Sequence, residues 1–298
     1  MIYNWLEADF VPFTITYGLS FIVLLIGSLT DLRTREVPDW VNYGLVISGV
    51  GLNLLFSVIY GNFSFIINSI IGLLVFFGFS YIMFFAGQWG GGDSKMLMGL
   101  GAMISLDVSF AKPQFLAGFF INMLFAGAIY GLLWSALLAF KNRKKFLGEI
   151  NKELSRKNIF HARKIMIFFL IFLVMAFFIV RPYYLKILIL SFGLLILTTF
   201  YIWIFVKAIE KSAMHKLVEP SELTEGDWIV NDIYSGKQYI CGPRDLGVDK
   251  KQIKKLVELH KKGRIKKVLM KVGIPFVPSF LIAFVVTFLF GNPVMWLY

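Results

Sequence analysis

The stretch Gly90-Gly91-Gly92-Asp93-Ser94-Lys95 interrupts a long run of apolar residues, and Asp93 and Lys95 are the only charged residues of segment 40–106. A carboxylate within an apolar segment costs several kcal/mol unless it is paired, protonated or hydrated. The three preceding glycines let the backbone approach closely or bend, at the expense of helix stability. This pattern indicates that Asp93 is one half of an active site, and that the rest of the chain supplies the other half.

The composition is that of a membrane protein. Of the 298 residues, 58% are hydrophobic and only 16% are charged, and the mean hydropathy is +0.73. Soluble domains carry about 45–50% apolar residues and about 25% charged residues. The chain is therefore predicted to be an all-α polytopic membrane protein.

The apolar runs predict the number of membrane helices. Runs of roughly spanning length lie near residues 12–30, 40–60, 64–87, 96–110, 115–140, 165–181, 184–206 and 274–291. They predict about eight transmembrane helices, or six to seven if the short fourth run is re-entrant. Only Arg181-Pro182 separates the sixth and seventh runs, which predicts a tight helical hairpin.

Basic residues are concentrated in two polar segments. Residues 141–164 hold nine Lys or Arg and two acids, and residues 207–273 hold fifteen Lys or Arg and nine acids. The positive-inside rule assigns both segments to the cytoplasm, which also places loop 31–39 there and both chain ends outside. The predicted location is the cytoplasmic membrane, with the active site facing the cytoplasm. This distribution of charge indicates contact with anionic lipid headgroups of the bilayer and argues against nucleic-acid binding.

Residues 208–273 are predicted to form a small α+β cytoplasmic subdomain before the last helix. Segments 228–234 and 237–241 have the pattern of a β-hairpin, and 249–260 has the pattern of an amphipathic helix with a capping box. The predicted domains are a catalytic membrane core at 1–140 that carries both Asp motifs, a basic cytoplasmic loop with two added spans at 141–207, the subdomain at 208–273, and the last transmembrane helix at 274–298.

The second carboxylate is found by elimination. The acids outside the two basic segments are Glu7, Asp9, Asp31, Glu36, Asp39, Asp93 and Asp107. Asp31 directly follows the first apolar run, so it can lie at the cytoplasmic edge of the bundle at the depth of Asp93. Two carboxylates held close together cannot both ionise cheaply, so one keeps a proton near neutral pH. Such a pair can deprotonate water while protonating a peptide carbonyl, which is aspartyl protease chemistry.

Three segments carry a resemblance to a known family. Thr30–Asp39 (TDLRTREVPD) resembles the Asp-x-basic-x-basic-x-apolar-Pro segment of type IV prepilin peptidases, and Gly90–Lys95 resembles their Gly-x-Gly-Asp motif with its following Lys. Gly273–Phe280 is similar to the start of the last span in the archaeal members, the preflagellin peptidases. Leu223–Asp227 is similar to part of their cytoplasmic subdomain.

The resemblance implies a membrane aspartyl endopeptidase that removes the short basic leader of type IV prepilin-like or preflagellin (archaellin) precursors. Asp31 and Asp93 would be catalytic, with Gly90, Gly92 and Lys95 supporting them. The substrates would be membrane-inserted precursors. Bacterial bifunctional members also methylate the new N-terminus and carry cysteine pairs, whereas this chain has only Cys241. We therefore expect peptidase activity without methyltransferase activity, and no metal or cofactor.

Other interpretations of the same residues stay open. An ion- or proton-coupled transporter could use Asp93 and Lys95 at a broken helix, although such a carboxylate belongs near the midplane. A presenilin-like intramembrane protease of broader specificity would share the Gly-x-Gly-Asp motif. Lys95 is expected to orient Asp93, and Asp39 is expected to be the N-cap of the second helix. The sequence determines neither the general base, the role of residues 141–207, nor the oligomeric state.

Overall fold

The computed structural model describes residues 10–107, 115–236 and 238–293. Glu7 and Asp9 lie outside these ranges. Across the described ranges the α-helices are α1 (Phe10–Thr34), α2 (Asp39–Ile59), α3 (Ser64–Phe85), α4 (Gly91–Ile104), α5 (Phe115–Lys141), α6 (Arg143–Leu154), α7 (Lys157–Ile179), α8 (Tyr183–Ile209), α9 (Lys250–Lys261) and α10 (Val277–Phe290). The strands are β1 (His215–Val218), β2 (Trp228–Ile229), β3 (Ile233–Ser235), β4 (Gln238–Cys241) and β5 (Val268–Lys271).

The polytopic membrane fold is confirmed. Within the described residues, 6 helices are long and apolar enough to cross a membrane, namely α1, α2, α3, α5, α7 and α8. The fourth and eighth predicted spans correspond to α4 and α10, which have 14 residues each. At 1.5 Å per residue each measures about 21 Å, less than the roughly 30 Å of the hydrocarbon core. The structure therefore has six long helices and two short ones where the apolar runs predicted about eight spans.

The chain divides into two compact units. The core unit comprises the described residues of 1–133 and 273–298, and the inserted unit comprises those of 134–272. This division is not the four-part organisation predicted above, because the last helix returns to the N-terminal helices. The two units are described separately below.

In the core unit, α4 packs against α1, α2 and α3. A Cβ atom at Gly101 would overlap the carbonyl oxygen of Gly72, and one at Gly49 would lie 2.7 Å from the backbone nitrogen of Met103. Glycine is thus required at these helix contacts, as is common where membrane helices approach closely. This packing fixes the position of α4 and of the motif at its N-terminus.

α10 packs against α1, and a polar contact joins it to α5. The buried Asn122 amide donates to Thr287 Oγ1 at 2.9 Å and to the carbonyl oxygen of Gly291 at 3.1 Å. At the middle of the interface, Tyr17 and Phe284 of α1 and α10 have ring centroids 6.1 Å apart. The C-terminal helix therefore completes a core that the first helices begin.

In the inserted unit, α7 and α8 form the predicted hairpin, with Arg181 and Pro182 between them. The sequence analysis treated the preceding basic segment as a loop, whereas the structure has α6 there. The buried Glu153 of α6 accepts hydrogen bonds or ion pairs from Lys211 at 2.6 Å and from Arg156 at 3.2 Å. Lys211 lies in a π-helical turn, Glu210–Met214, at the end of α8, so this contact ties α6 to α8.

The subdomain contains two antiparallel sheets. One has the strand order β1-β5-β2, and the other is the β3–β4 hairpin with Gly236 at its turn at φ 63°. The predicted hairpin is confirmed only for its inner part, because the chain leaves the strand conformation at 230–232 and β2 pairs with β5 instead. The predicted capping box is confirmed, since Asp249 and Gln252 exchange hydrogen bonds of 2.6 and 2.8 Å at the start of α9.

Cys241, the single cysteine of the chain, is a core residue of the subdomain. Burial raises the pKa of its thiol to about 11, and the negative charge of Asp245 contributes in the same direction. Because the thiolate is the reactive form of cysteine, this side chain is suited to packing rather than to chemistry.

Candidate active site

Asp31 lies in the last turn of α1 and is buried, with 5% of its surface exposed. Its Oδ2 atom accepts a hydrogen bond of 3.0 Å from the backbone N–H of Val277, at the start of α10. The backbone N–H of Phe276 and the positive charge of Arg35 also lie within electrostatic range of this carboxylate. The carboxylate predicted from the first motif is therefore held by a backbone donor from the last helix.

Asp93 lies in the first turn of α4, the third residue of that helix. Its Oδ2 atom accepts the backbone N–H of Gly90 at 3.1 Å, and Gly90 is the extended residue that precedes the helix. A carboxylate is favourable there because the first N–H groups of a helix lack partners and the helix dipole is positive at that end. The motif thus begins a helix, and Asp93 caps it.

The glycines of the motif have a limited steric role in this structure. A Cβ atom at Gly92 would lie 3.5 Å from Val37, which is an ordinary van der Waals distance. A Cβ atom at Gly90 would lie 3.4 Å from the Asp93 carboxylate. Neither glycine has a positive φ. Their supporting role therefore stays a prediction about room for Asp93 and for the substrate backbone.

The structure brings the two predicted carboxylates together. Asp31 and Asp93 lie close enough for their negative charges to interact. Tyr130 of α5 also interacts electrostatically with Asp31 and with Arg35. The helices α1, α4, α5 and α10 thus converge on one polar site in an otherwise apolar core.

The partner of Lys95 and the role of Asp39 at the start of α2 differ from those predicted from the sequence. Lys95 Nζ lies 2.6 Å from Asp39 Oδ1 and 5.1 Å from the ring centroid of Tyr43, so it pairs with Asp39 rather than with Asp93. The reason is helical geometry, because residues two apart on a helix point to different faces. Asp39 is not the N-cap of α2, since the extended Pro38 takes that place and its carbonyl oxygen accepts the N–H of Val41 at 3.0 Å.

Comparison with known proteins agrees with this site. Residues 18–132, which include both carboxylates, match the model of the type IV leader peptidase family. This part of the chain is similar to that family. The resemblance noted from the motifs is therefore confirmed.

Curated relatives of this leader peptidase region are preflagellin peptidases. The preflagellin peptidase of Methanococcus voltae is 34% identical over 139 residues, which cover 43% of this chain and 58% of that protein. Those of Methanocaldococcus jannaschii and Methanococcus maripaludis strain C6 are 42% and 40% identical over 90 residues, which cover 30% of this chain and 38% and 39% of those proteins. The chain thus matches less than two thirds of the length of each of these relatives.

The contribution of α10 to the candidate site was not predicted from the sequence. The stretch beginning at Gly273 was recognised only as the start of the last span. Val277 lies 246 residues after Asp31, and it contributes a backbone N–H, which any residue except proline possesses. No pattern of residue types could have indicated this contact.

The candidate site contains two carboxylates, Asp31 and Asp93. In the parts of the chain that the structure describes, no group of three or more His, Cys, Asp or Glu side chains is placed to hold a metal. Asp31 and Asp93 are each engaged by backbone N–H groups. Two carboxyl groups arranged in this way can transfer protons between water and a bound carbonyl group.

Proposed function

We propose that the chain is a membrane aspartyl endopeptidase that removes the short basic leader of preflagellin (archaellin) or type IV prepilin-like precursors. The observation that carries the proposal is that Asp31, in the last turn of α1, and Asp93, in the first turn of α4, lie within electrostatic range of each other. Similarity of residues 18–132 to the leader peptidase family supports the same chemistry, and the names of the relatives support preflagellins as substrates.

In the proposed mechanism the two carboxylates share one proton. The ionised carboxyl group removes a proton from a water molecule as the water oxygen attacks the scissile carbonyl carbon. The protonated carboxyl group donates its proton to the carbonyl oxygen, which gives a neutral tetrahedral intermediate. The carboxyl group that took the proton from water then donates it to the leaving amine nitrogen, while the other carboxylate removes a proton from a hydroxyl group of the intermediate. The C–N bond breaks, and the pair again holds one shared proton. The reaction needs no covalent intermediate, and we assign the chain peptidase activity alone, without methyl transfer.

We place the site at the cytoplasmic edge of the membrane. The basic segments 141–164 and 207–273 follow the positive-inside rule if they are cytoplasmic. Asp31 lies at the end of α1 that leads into loop 31–39, and the same rule assigns this loop to the cytoplasm. A peptide bond inside a membrane helix is protected by backbone hydrogen bonds. The accessible bond is therefore the one where an apolar helix emerges into the cytoplasm.

This position defines the substrate. Its apolar helix lies in the membrane, and its leader carries Lys or Arg because the leader is cytoplasmic. A small residue at the cut lets the backbone approach two partly buried carboxylates. The proposed substrate is thus a basic leader, a small residue and a long apolar helix, in that order.

The test is cleavage of membrane-inserted precursors by the purified protein in detergent, where no ion gradient exists. Replacing the Lys and Arg of the leader by Gln, or the small residue by Leu, should each slow cleavage by about tenfold, equivalent to about 1.4 kcal/mol. The control for leader length is a precursor that keeps its Lys and Arg residues and carries additional Gln residues in the leader, far from the cleavage site. Absence of cleavage would contradict the peptidase assignment. Equal rates on all precursors, or a cut within the apolar helix, would contradict the leader specificity.

A further inference from the structure

The carboxylate of Asp31 caps a helix to which it does not belong. The residue that precedes α10, Phe276, provides no side-chain cap. The first N–H groups of a helix have no partner within that helix. Asp31 accepts the N–H of Val277 at 3.0 Å, and the backbone N–H of Phe276 lies within electrostatic range of the same carboxylate. α10 therefore supplies the donor that sets the direction of this carboxylate.

Arg35 holds the segment that carries this donor. Its Nη1 atom donates to the carbonyl oxygen of Gly273 at 2.7 Å, four residues before Val277. Arg35 has a φ of 63°, a left-handed conformation that is uncommon for residues other than glycine. In this conformation its backbone N–H donates to the carbonyl oxygen of Asp31 at 2.9 Å. The left-handed Arg35 thus ends α1 after Thr34 and places its guanidinium group on the entry to α10.

Close packing leaves this entry little freedom. The ring of Phe276 occupies the space that a side chain at Gly127 would need, since a Cβ atom there would lie 2.6 Å from the ring. Val277 is fully buried, and its methyl group lies 3.4 Å from the Cβ position of Gly27. The Phe276 ring also lies 5.8 Å from that of Trp89 between centroids. Glycines on α1 and α5 therefore seat Val277, whose N–H group contacts Asp31, and the preceding Phe276.

We propose that Arg35 is a positioning residue, which fixes the first turn of α10 through Gly273 and thereby orients the Asp31 carboxylate against Asp93. Its part in catalysis rests on the proposed function. A carboxylate displaced by about 1 Å can slow a reaction by about a hundredfold without altering contacts to the substrate. Loss of the Arg35 contact should therefore lower kcat and leave KM unchanged.

The kinetic test compares Arg35→Ala with Arg35→Lys and with Arg33→Ala in the purified full-length protein. Arg33 is the matched control, because it is exposed and lies in the same turn of chain. Arg35→Ala should lower kcat by about tenfold or more with KM within about twofold, whereas Arg35→Lys should recover most of kcat because the ammonium group can still donate to a carbonyl. Arg33→Ala should match the wild type.

Two kinetic outcomes would overturn the proposal. An unchanged kcat in Arg35→Ala would mean that the contact with Gly273 does not affect Asp31. A higher KM with an unchanged kcat would mean that Arg35 binds the substrate instead. Thermal unfolding of each variant, measured in the same detergent, separates both outcomes from loss of the fold.

A second readout needs no substrate. Amide hydrogen exchange at Val277 should be slow in the wild type, because its N–H group donates to the buried carboxylate of Asp31. Exchange there should rise by about tenfold in Arg35→Ala and in Asp31→Ala, and not in Arg33→Ala. Equal exchange in all four proteins would overturn the positioning role. If the wild type cleaves no precursor, the proposed function fails, and the exchange result still decides whether Arg35 fixes this contact.

Discussion

The long apolar helices of the two units are buried to different extents. In the core unit, 28%, 33% and 22% of the most apolar stretch of α1, α2 and α3 is buried. In the inserted unit the buried share is 6% for both α7 and α8. The mean hydropathy of these stretches is nevertheless lower in the core unit, at 1.6–2.1 for α1 to α3, than in the inserted unit, at 2.4 for α7 and 2.3 for α8. In a membrane the most apolar surfaces face lipid, since lipid tails are as apolar as the side chains.

The difference shows that specific packing contacts matter more in the core unit than in the α7–α8 hairpin. In the core unit, glycines at helix contacts, buried side-chain amides and carboxylates that cap helices hold the helices against one another. The α7–α8 hairpin presents long apolar side chains outward. Substitutions should therefore matter far more in the core unit than at equivalent depths of the hairpin. Two pairs of substitutions test this contrast.

The largest effect is expected from filling a glycine contact. In Gly101→Val the new side chain meets the backbone of Gly72, which cannot move aside, so the free energy of unfolding should fall by about 3 kcal/mol or more. In Gly193→Val of α8 the nearest atoms are methyl groups of Leu173 and Leu170 at 3.6 and 3.7 Å, so the change should stay within about 1 kcal/mol. Unfolding in detergent measures both, and equal losses would contradict the contrast.

A smaller effect is expected from removing a leucine side chain. Leu97 of α4 is fully buried, whereas Leu188 of α8 is 63% exposed. Lipid replaces water as the solvent, so Leu97→Ala loses mainly the cavity contribution, about 1–2 kcal/mol. Leu188→Ala should change the free energy of unfolding by less than about 0.5 kcal/mol. A larger loss for Leu188→Ala would mean that the hairpin packs against protein in the folded state.

The sequence was sufficient for the features that depend on residue type. Charge and hydropathy placed the long helices, and the capping box at Asp249 identified the start of α9. Each of these follows from the cost of placing a residue in the wrong environment. The catalytic role of Asp31 and Asp93 stays a prediction.

The sequence was insufficient for features that depend on direction or on the backbone. Lys95 follows Asp93 by two residues, and only the helix shows that it faces Asp39 instead. α6 is too polar to be recognised by an apolar pattern, because half of its 12 residues are charged. The donor of Val277 is a backbone group common to all residues except proline, so its contact with Asp31 required the fold.

The measurement that tests the central claim most directly is cleavage of a leader-bearing precursor by Asp31→Asn and Asp93→Asn, with Asp39→Asn as the control. An amide cannot exchange the proton that the pair shares, so kcat in each of the first two should fall by about a thousandfold or more, with thermal unfolding nearly unchanged. Asp39 is exposed and contacts Lys95, so Asp39→Asn should lose less than about fivefold. Activity within about tenfold of the wild type in either Asp31→Asn or Asp93→Asn would contradict the account.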